Sequence, residues 1–205
     1  MVFTERSRAS REAVLAAARA SFAERGYERT TVRLVAAEAG VDPSMVIRYF
    51  GSKDGLFAAA VEVDLRLPDL AGVPAGQRGE VLARHFLRLW EDERTGEVLV
   101  VLLRSATTNE AAAAGLREVF AGQVVTLVAD LDRADVAGGE RTAGTVSAAP
   151  GPDVARRAGQ IATQVLGTAL TRYVLRLPPV VALNHDEVVA YLAPILQPLL
   201  APAQQ

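Results

Sequence analysis

The chain has 205 residues, 50% of them hydrophobic and 22% charged, with 22 Lys and Arg against 24 Asp and Glu for a formal net charge of −2. Such a chain can bury one core or two small ones, which excludes a disordered chain, and its charge balance excludes a uniformly basic coat or a polyacidic tail. Contact with nucleic acid therefore has to be local. Up to residue 55 there are 9 basic and 7 acidic residues, against 13 and 17 afterwards, so the mildly positive end is the N-terminus. The absence of Cys excludes disulfide scaffolds, thiolate zinc sites and cysteine nucleophiles, and two His leave little for metal chemistry. No cofactor and no metal site is expected. The longest strongly aliphatic run, Val98 to Leu103, is far shorter than the ~20 residues that span a bilayer. Arg11, Glu12, Arg19 and Glu24 interrupt the apolar stretch that an export signal would need after Arg6 and Arg8. The expectation is a cytoplasmic protein with no membrane partner.

In chain order, Val14, Leu15, Ala18 and Phe22 recur at steps of three and four, which predicts a helix over 9–25. Gly26 stops it, and Tyr27 is free to fold back over the end. Thr30-Thr31 suits the N-cap of a short helix 32–38 that buries Val32, Val35 and Ala36. Ala39-Gly40-Val41 reads as a tight turn. Asp42 can then cap a third helix, with Pro43 at its first position, running to about Tyr49. Gly51-Ser52 repeats the break, and Ser52 caps a fourth helix, to about Leu65, with Asp54 in its first turn. Pro68 to Gly79 is a connection. Helical patterns follow over 80–91 (Leu82, Phe86, Leu89), over the apolar 97–105, and from an Asn109 cap over Glu110 to about Leu131. Residues 132–152, rich in Gly and Pro, read as a flexible loop. A helix over about 153–177 ends at Pro178-Pro179. The last helix starts at Asn184, with Glu187 three places on, and Pro194 and Pro198 are expected to bend it. Its set of Val188, Val189, Leu192, Ile195, Leu196, Leu199 and Leu200 is wider than one buried face needs, which suggests a second face for a partner subunit.

The segment Thr31 to Phe50, TVRLVAAEAGVDPSMVIRYF, has the grammar of a helix-turn-helix. Such a motif works only if its second helix protrudes, because an exposed helix fits the major groove of B-DNA. Ser44, Met45, Arg48 and Tyr49 would face outward. The Ser44 hydroxyl can donate or accept at a base edge, the Met45 thioether can cover a thymine methyl, and Arg48 can take guanine or phosphate. Tyr49 and Lys53, the only lysine, are placed for phosphate, helped by the helix N-termini near Thr31 and Ser52. With Arg33 and Pro43, the expected DNA-binding set is Thr31, Arg33, Pro43, Ser44, Met45, Arg48, Tyr49 and Lys53.

The stretch FAERGYERTTVRLVAAEAGVDPSMVIRYFGSKDGLF resembles the N-terminal domain of the TetR (tetracycline-repressor-like) family. The shared features are the Phe-x-x-x-Gly-Tyr end of helix one, Thr-Thr-Val, Ala-Gly-Val, and the Phe-Gly-Ser-Lys-x-x-Leu-Phe exit. The resemblance implies an all-α fold, with an N-terminal three-helix helix-turn-helix DNA-binding domain (1–51) and a C-terminal helical ligand-binding and dimerisation domain (52–205). It also implies a homodimer through about 153–177 and 184–201, double-stranded operator DNA as partner, and helix four as the lever between domains. Three positions depart from the family pattern: Ile47 stands where an aromatic is common, Tyr49 where His is frequent, and Asp42 where Ser often caps.

For a small-molecule effector of hydrophobic character, the candidate pocket residues are His85, Phe86, Trp90, Arg104, Thr107, Thr108, Asn109 and Phe120. Each also has a purely structural role open to it. The aromatics serve as core, His85 as a satisfied helix residue, Arg104 as the partner of a buried acid, and Thr108-Asn109 as a cap. An enzyme would need a catalytic constellation. His85 and His185 fall on separate helices, Gly138-Gly139 lacks a following strand or lysine, and Asp130, Asp132 and Asp135 read as a solvated helix end, so no catalytic residue is expected. An architectural helix-turn-helix protein without an inducer, and a regulator acting only through protein contacts, stay open as alternatives.

Overall fold

The computed structural model describes residues 5–137 and 151–201, and among these every regular element is helical. Eleven α-helices follow one another: α1 (Glu5–Arg29), α2 (Val32–Glu38), α3 (Pro43–Phe50), α4 (Lys53–Ala60), α5 (Arg78–Glu91), α6 (Glu93–Ser105), α7 (Glu110–Val119), α8 (Val125–Ala137), α9 (Pro152–Ala169), α10 (Pro178–Val181) and α11 (His185–Leu196). Five-residue π-helical segments continue α7 into α8 (Phe120–Val124) and extend α9 (Leu170–Val174). The all-α expectation holds.

The chain forms two compact units. The first contains the described residues up to Asp64 together with Asp92–Arg117; the second contains Leu65–Glu91 and the described residues from Glu118 onward. In the first, α1 packs on α2, α4 and α6 through Val14, Leu15, Ala18 and Phe22, the residues its periodicity singled out. Gly26 interrupts α1 at φ +73°, so the helix continues beyond the expected stop only after a break. Helix α4 is shorter than its sequence suggests. It ends at Ala60 rather than near Leu65, and the chain then runs without helix to Leu70, with β-branched Val61 and Val63 buried. The whole of α4 belongs to the first unit.

In the second unit the dominant packing is α5 against α11, and α9 lies against both α8 and α11. Val188, Val189, Leu192, Leu196 and Leu200 are buried in this core, whereas Tyr191 stays 54% exposed. Asn184 caps α11 with the full reciprocal box, its side chain taking the Glu187 N–H and Glu187 taking the Asn184 N–H. Pro194 is accommodated inside the helix, which tightens into a 3₁₀ turn at Gln197–Leu200.

Two arginines secure this end of the chain. Arg78, only 3% exposed, makes a bidentate pair with Asp135 at 2.8 and 2.7 Å and donates to the Leu70 and Leu200 carbonyls. Arg157 pairs with Asp132 and Asp153 and donates to the Leu199 and Ala201 carbonyls. The acids read as a solvated helix end are therefore partners of buried guanidinium groups, apart from Asp130, which pairs with exposed Arg133. The reason lies in the length of α8. It runs to Ala137, past the expected end near Leu131, and so carries Asp132 and Asp135 back onto the core. Of the expected loop 132–152, residues 138–150 lie outside the described residues.

One helical stretch, Glu110–Asp135, is long and apolar enough by length and composition to cross a membrane. Arg117 and Glu118 interrupt its apolar run, and Val125, Leu127, Val128 and Leu131 are buried within the second unit, while 22% of its most apolar window is buried.

The Arg78 guanidinium beside it holds the Asp135 carboxyl below its usual value of 3.8. Its contribution is therefore full above that value and is lost as pH falls through the lower folded value. Asp135→Asn should cost roughly 3 kcal/mol at neutral pH, because it strands a buried guanidinium. Denaturant titrations from pH 7 to pH 3 should show the gap between native and variant protein closing below about pH 4.

Candidate nucleic-acid interface

Between α1 and α4 a cluster of rings sets the frame. Phe22 stacks with Tyr27 at 5.9 Å, and Phe57 meets both edge-on at 4.8 and 5.2 Å. Tyr27 folds back as expected, and its hydroxyl donates to Asp54 at the start of α4. Burial, reinforced by the Asp54 acceptor, pushes the Tyr27 hydroxyl up to about 12. A second network holds α2. Ser21 donates to Glu38 at 2.5 Å, Arg25 donates to the same carboxylate at 2.8 Å, and the buried Thr30 hydroxyl contacts the Ser21 and Gly26 carbonyls. These bonds draw the Glu38 carboxyl below its usual range. The sequence reading missed this network, although Ser21 and Arg25, polar residues one turn apart beside an apolar stripe, were its available signal.

The turn and caps form as the residue types dictate. Thr31 caps α2 by accepting the Leu34 N–H, and Ser52 caps α4 by accepting the Gly55 N–H. Asp42 caps α3, with Pro43 at its first position. One Asp42 carboxylate oxygen accepts both the Ser44 N–H at 2.8 Å and the Ser44 hydroxyl at 2.5 Å. These bonds, the hydroxyl's first, lower the Asp42 carboxyl from its ordinary value.

Helix α3 buries Val46 and turns Ser44, Ile47 and Arg48 outward. Residues 44, 47 and 48 lie one turn apart, so they share a face. Met45 is half-buried, and Pro43 is exposed beside Ser44. The Arg48 guanidinium lies 5.5 Å from the Tyr49 ring, and the Tyr49 hydroxyl is 3.3 Å from the Ser7 hydroxyl on α1. Thr31 and Arg33 are exposed at the start of α2. Lys53 sits 4.1 Å over the Tyr27 ring and donates to the Glu28 carbonyl. Ile47, noted in the sequence only as a departure, is 46% exposed.

The expected effector residues fall in both units. His85, Phe86, Trp90 and Phe120 belong to the second, and Arg104, Thr107, Thr108 and Asn109 to the first. Phe86 and Trp90 are buried, and Trp90 stacks on Tyr173 at 5.4 Å. His85 Nε2 lies 2.8 Å from the Leu65 carbonyl, which can only accept, so the ring proton is on Nε2. Burial pushes the His85 pKa down. Thr107 and Thr108 donate to carbonyls one turn back, and Asn109 caps α7 by accepting the Ala112 N–H. Arg104 is exposed, and Phe120 is half-buried. Two open concavities of about 450 and 280 Å³ lie elsewhere in the second unit, lined by Arg172, Asn184, His185 and Asp186, and by Arg172, Tyr173, Arg176 and Val181. None of the expected effector residues lines either one. Arg172, shared by both, contacts Glu91, as do the Tyr173 hydroxyl and His185.

A capped helix-turn-helix with a protruding, cation-bearing second helix, in a chain that is otherwise helical, defines a DNA-binding transcriptional regulator. Residues 14–60 match the profile of the bacterial regulatory proteins of the tetR family, and residues 77–149 and 139–200 match the tetracyclin repressor-like C-terminal domain. The chain belongs to the TetR family. A TetR-family regulator from Streptomyces coelicolor A3 is 29% identical, with 98% of this chain and 99% of that one covered and a TM-score of 0.61. GusR of Salmonella enterica shares the fold at 20% identity, with coverages of 93% and 95% and a TM-score of 0.67. NalD, the secondary repressor of the MexAB-OprM multidrug efflux pump of Pseudomonas aeruginosa, does so at 21% identity, with 95% of each chain covered and a TM-score of 0.63. No curated protein sequence matches the chain.

The α3–α4 junction tolerates no side chain at Gly55, where a Cβ would stand 2.1 Å from the Phe50 carbonyl oxygen. Gly55→Ala should lower the unfolding free energy by roughly 2–3 kcal/mol, as overpacking against backbone does. Thermal unfolding measures the loss. Ala58→Gly, an exposed helical position, should cost only about 1 kcal/mol.

Proposed function

We propose that the protein is a ligand-responsive repressor that binds a near-palindromic operator as a homodimer and is released by a small molecule. The observation that carries the reading is the exposed Ser44, Ile47 and Arg48 face of α3, set between the N-capped helices α2 and α4. In a two-fold dimer the two copies of this helix would enter successive major grooves about 34–36 Å apart. Ser44, Met45 and Arg48 meet bases, with Pro43 fixing the entry of the helix, while Thr31, Arg33, Tyr49 and Lys53 meet phosphate. Lys53 keeps two ammonium donors beyond its bond to Glu28. The split into a DNA-binding domain (1–51) and a ligand-binding and dimerisation domain (52–205) belongs to the same reading, as do a cytoplasmic location, the lack of catalytic activity and the lack of a membrane partner.

Dimerisation through 153–177 and 184–201 is supported by the two-sided character of α11. Its buried residues serve the core, and Tyr191 with half-exposed Ile195 and Leu199 leaves a second apolar side. Release by an effector follows from differential affinity for two arrangements of the dimer. The aromatic cluster of Phe86, Trp90 and Tyr173 favours an apolar effector. His85 and Phe120, in the same unit, complete the proposed ligand contacts. NalD, a repressor with the same fold, supports the negative sign of regulation.

Arg48→Ala should lower affinity for an operator selected from random duplexes by about 5- to 150-fold, the worth of one good base contact. Sedimentation should show its dimer intact, and unchanged affinity would remove Arg48 from the interface. Tyr191→Glu should yield folded monomers in sedimentation at micromolar concentration, because it buries a charge in the proposed subunit contact. A persisting dimer would move that contact elsewhere.

A further inference from the structure

The first turn of α3 has used its hydrogen-bond donors internally. Pro43 has no N–H. The Ser44 N–H and the Ser44 hydroxyl both go to one Asp42 carboxylate oxygen, and the Met45 N–H goes to the Asp42 carbonyl at 2.9 Å. An ionised carboxylate only accepts, so the short Ser44–Asp42 contact places the hydroxyl proton between the two side chains. What Ser44 Oγ presents outward is lone pairs. The full negative charge of Asp42 stands beside it on the same exposed turn. An anionic phosphate would meet repulsion and no donor there, in contrast to the usual behaviour of a helix N-terminus.

Major-groove base edges offer two kinds of partner. Adenine N6 and cytosine N4 are amine donors, whereas guanine O6 and N7 and thymine O4 are acceptors. A hydroxyl with its proton free could address either kind. We propose that Asp42 makes Ser44 an acceptor-only reader, so that the first turn of α3 selects an adenine or cytosine amine at one position of each half-site. The inference rests on the DNA-binding reading above and sharpens it. Ser44 is the contacting residue and Asp42 a positioning residue acting through it. Because either amine serves, that position should accept A or C on the contacted strand and disfavour G or T. Arg48, a pure donor on the same face one turn away, would read acceptors, so the two residues sort base edges in opposite senses.

The test uses the full-length protein and the duplex it enriches from a random library. In one half-site, each adenine is replaced in turn by purine and each cytosine by 2-pyrimidinone, which removes one exocyclic amine at a time. Guanine-to-2-aminopurine replacements remove a keto oxygen as the control. Each duplex is titrated with native protein and with Ser44→Ala. At one position, loss of the amine should weaken native binding about three- to tenfold, the range of one neutral hydrogen bond. The same loss should change Ser44→Ala binding less than twofold. Asp42→Asn, which removes the charge that fixes the proton, should bind with reduced discrimination between A or C and G or T at that position. Coupling of Ser44 to a keto oxygen, or additivity at every position, overturns the assignment while the DNA-binding reading stands. A folded protein that enriches no sequence at all overturns both.

Discussion

The orientation of α3 depends on a steric constraint at its exit. The chain leaves the helix through Gly51 at φ +77°, a conformation that side chains with a Cβ rarely adopt. It then brings Gly55 against the Phe50 carbonyl at a distance no Cβ could share. With the two glycines in place, Ser52 can cap α4 on the Gly55 N–H, and Asp54 comes within reach of the Tyr27 hydroxyl. Tyr27 in turn is wedged between Phe22 and Phe57. A short helix has little stability of its own, so the angle at which α3 protrudes is set by these neighbours. The exposed face of α3 is a consequence of packing behind it.

The parts of the fold that were legible in the sequence are those governed by local chemistry. Periodicity gave the buried face of α1, and capping residues located the starts of α2, α3, α4, α7 and α11, because a cap needs only one side chain and the N–H groups next to it. Helix ends were read less well. The stop of α4 at Ala60 has no Gly or Pro at the boundary, whereas α8 runs to Ala137, directly before Gly138-Gly139, a stop signal that the expected end near Leu131 passed over. Distant partners bear on both: Val61 and Val63 are buried just after α4, and Asp135 and Asp132 near the end of α8 pair with Arg78 and Arg157. Long-range ion pairing of this kind leaves no local signature, so Asp132 and Asp135 looked solvated.

The same distinction separates the two candidate sites. The outward set on α3 follows from helical geometry once Val46 is known to be buried; spacing identified Ser44 and Arg48 but not exposed Ile47, and Met45 and Tyr49, expected outward, are half-buried. A ligand pocket is a property of several helices at once, and spacing carries no information about which of them converge. Hence Asn109, Thr107 and Thr108 prove to be engaged in capping and in one-turn back-bonds, and His85 in a bond to Leu65, the structural roles their residue types also permit.

Charge is distributed on the first unit in a way that net charge conceals. Arg33 and Lys53 carry the cations proposed to meet phosphate and Arg48 the one proposed to meet a base, yet the turn between Arg33 and Arg48 carries Asp42. Were Asp42 a bare surface carboxylate, it would weaken DNA binding at every sequence alike. Bonded twice to Ser44, its charge is partly satisfied within the turn, and its remaining influence is to leave Ser44 without a donor. A cation near phosphate raises affinity for all duplexes, whereas an acceptor in the groove discriminates among them. On the proposed reading, an acidic cap on α3 would exchange general affinity for selectivity, with Arg33 and Lys53 positioned to offset the loss.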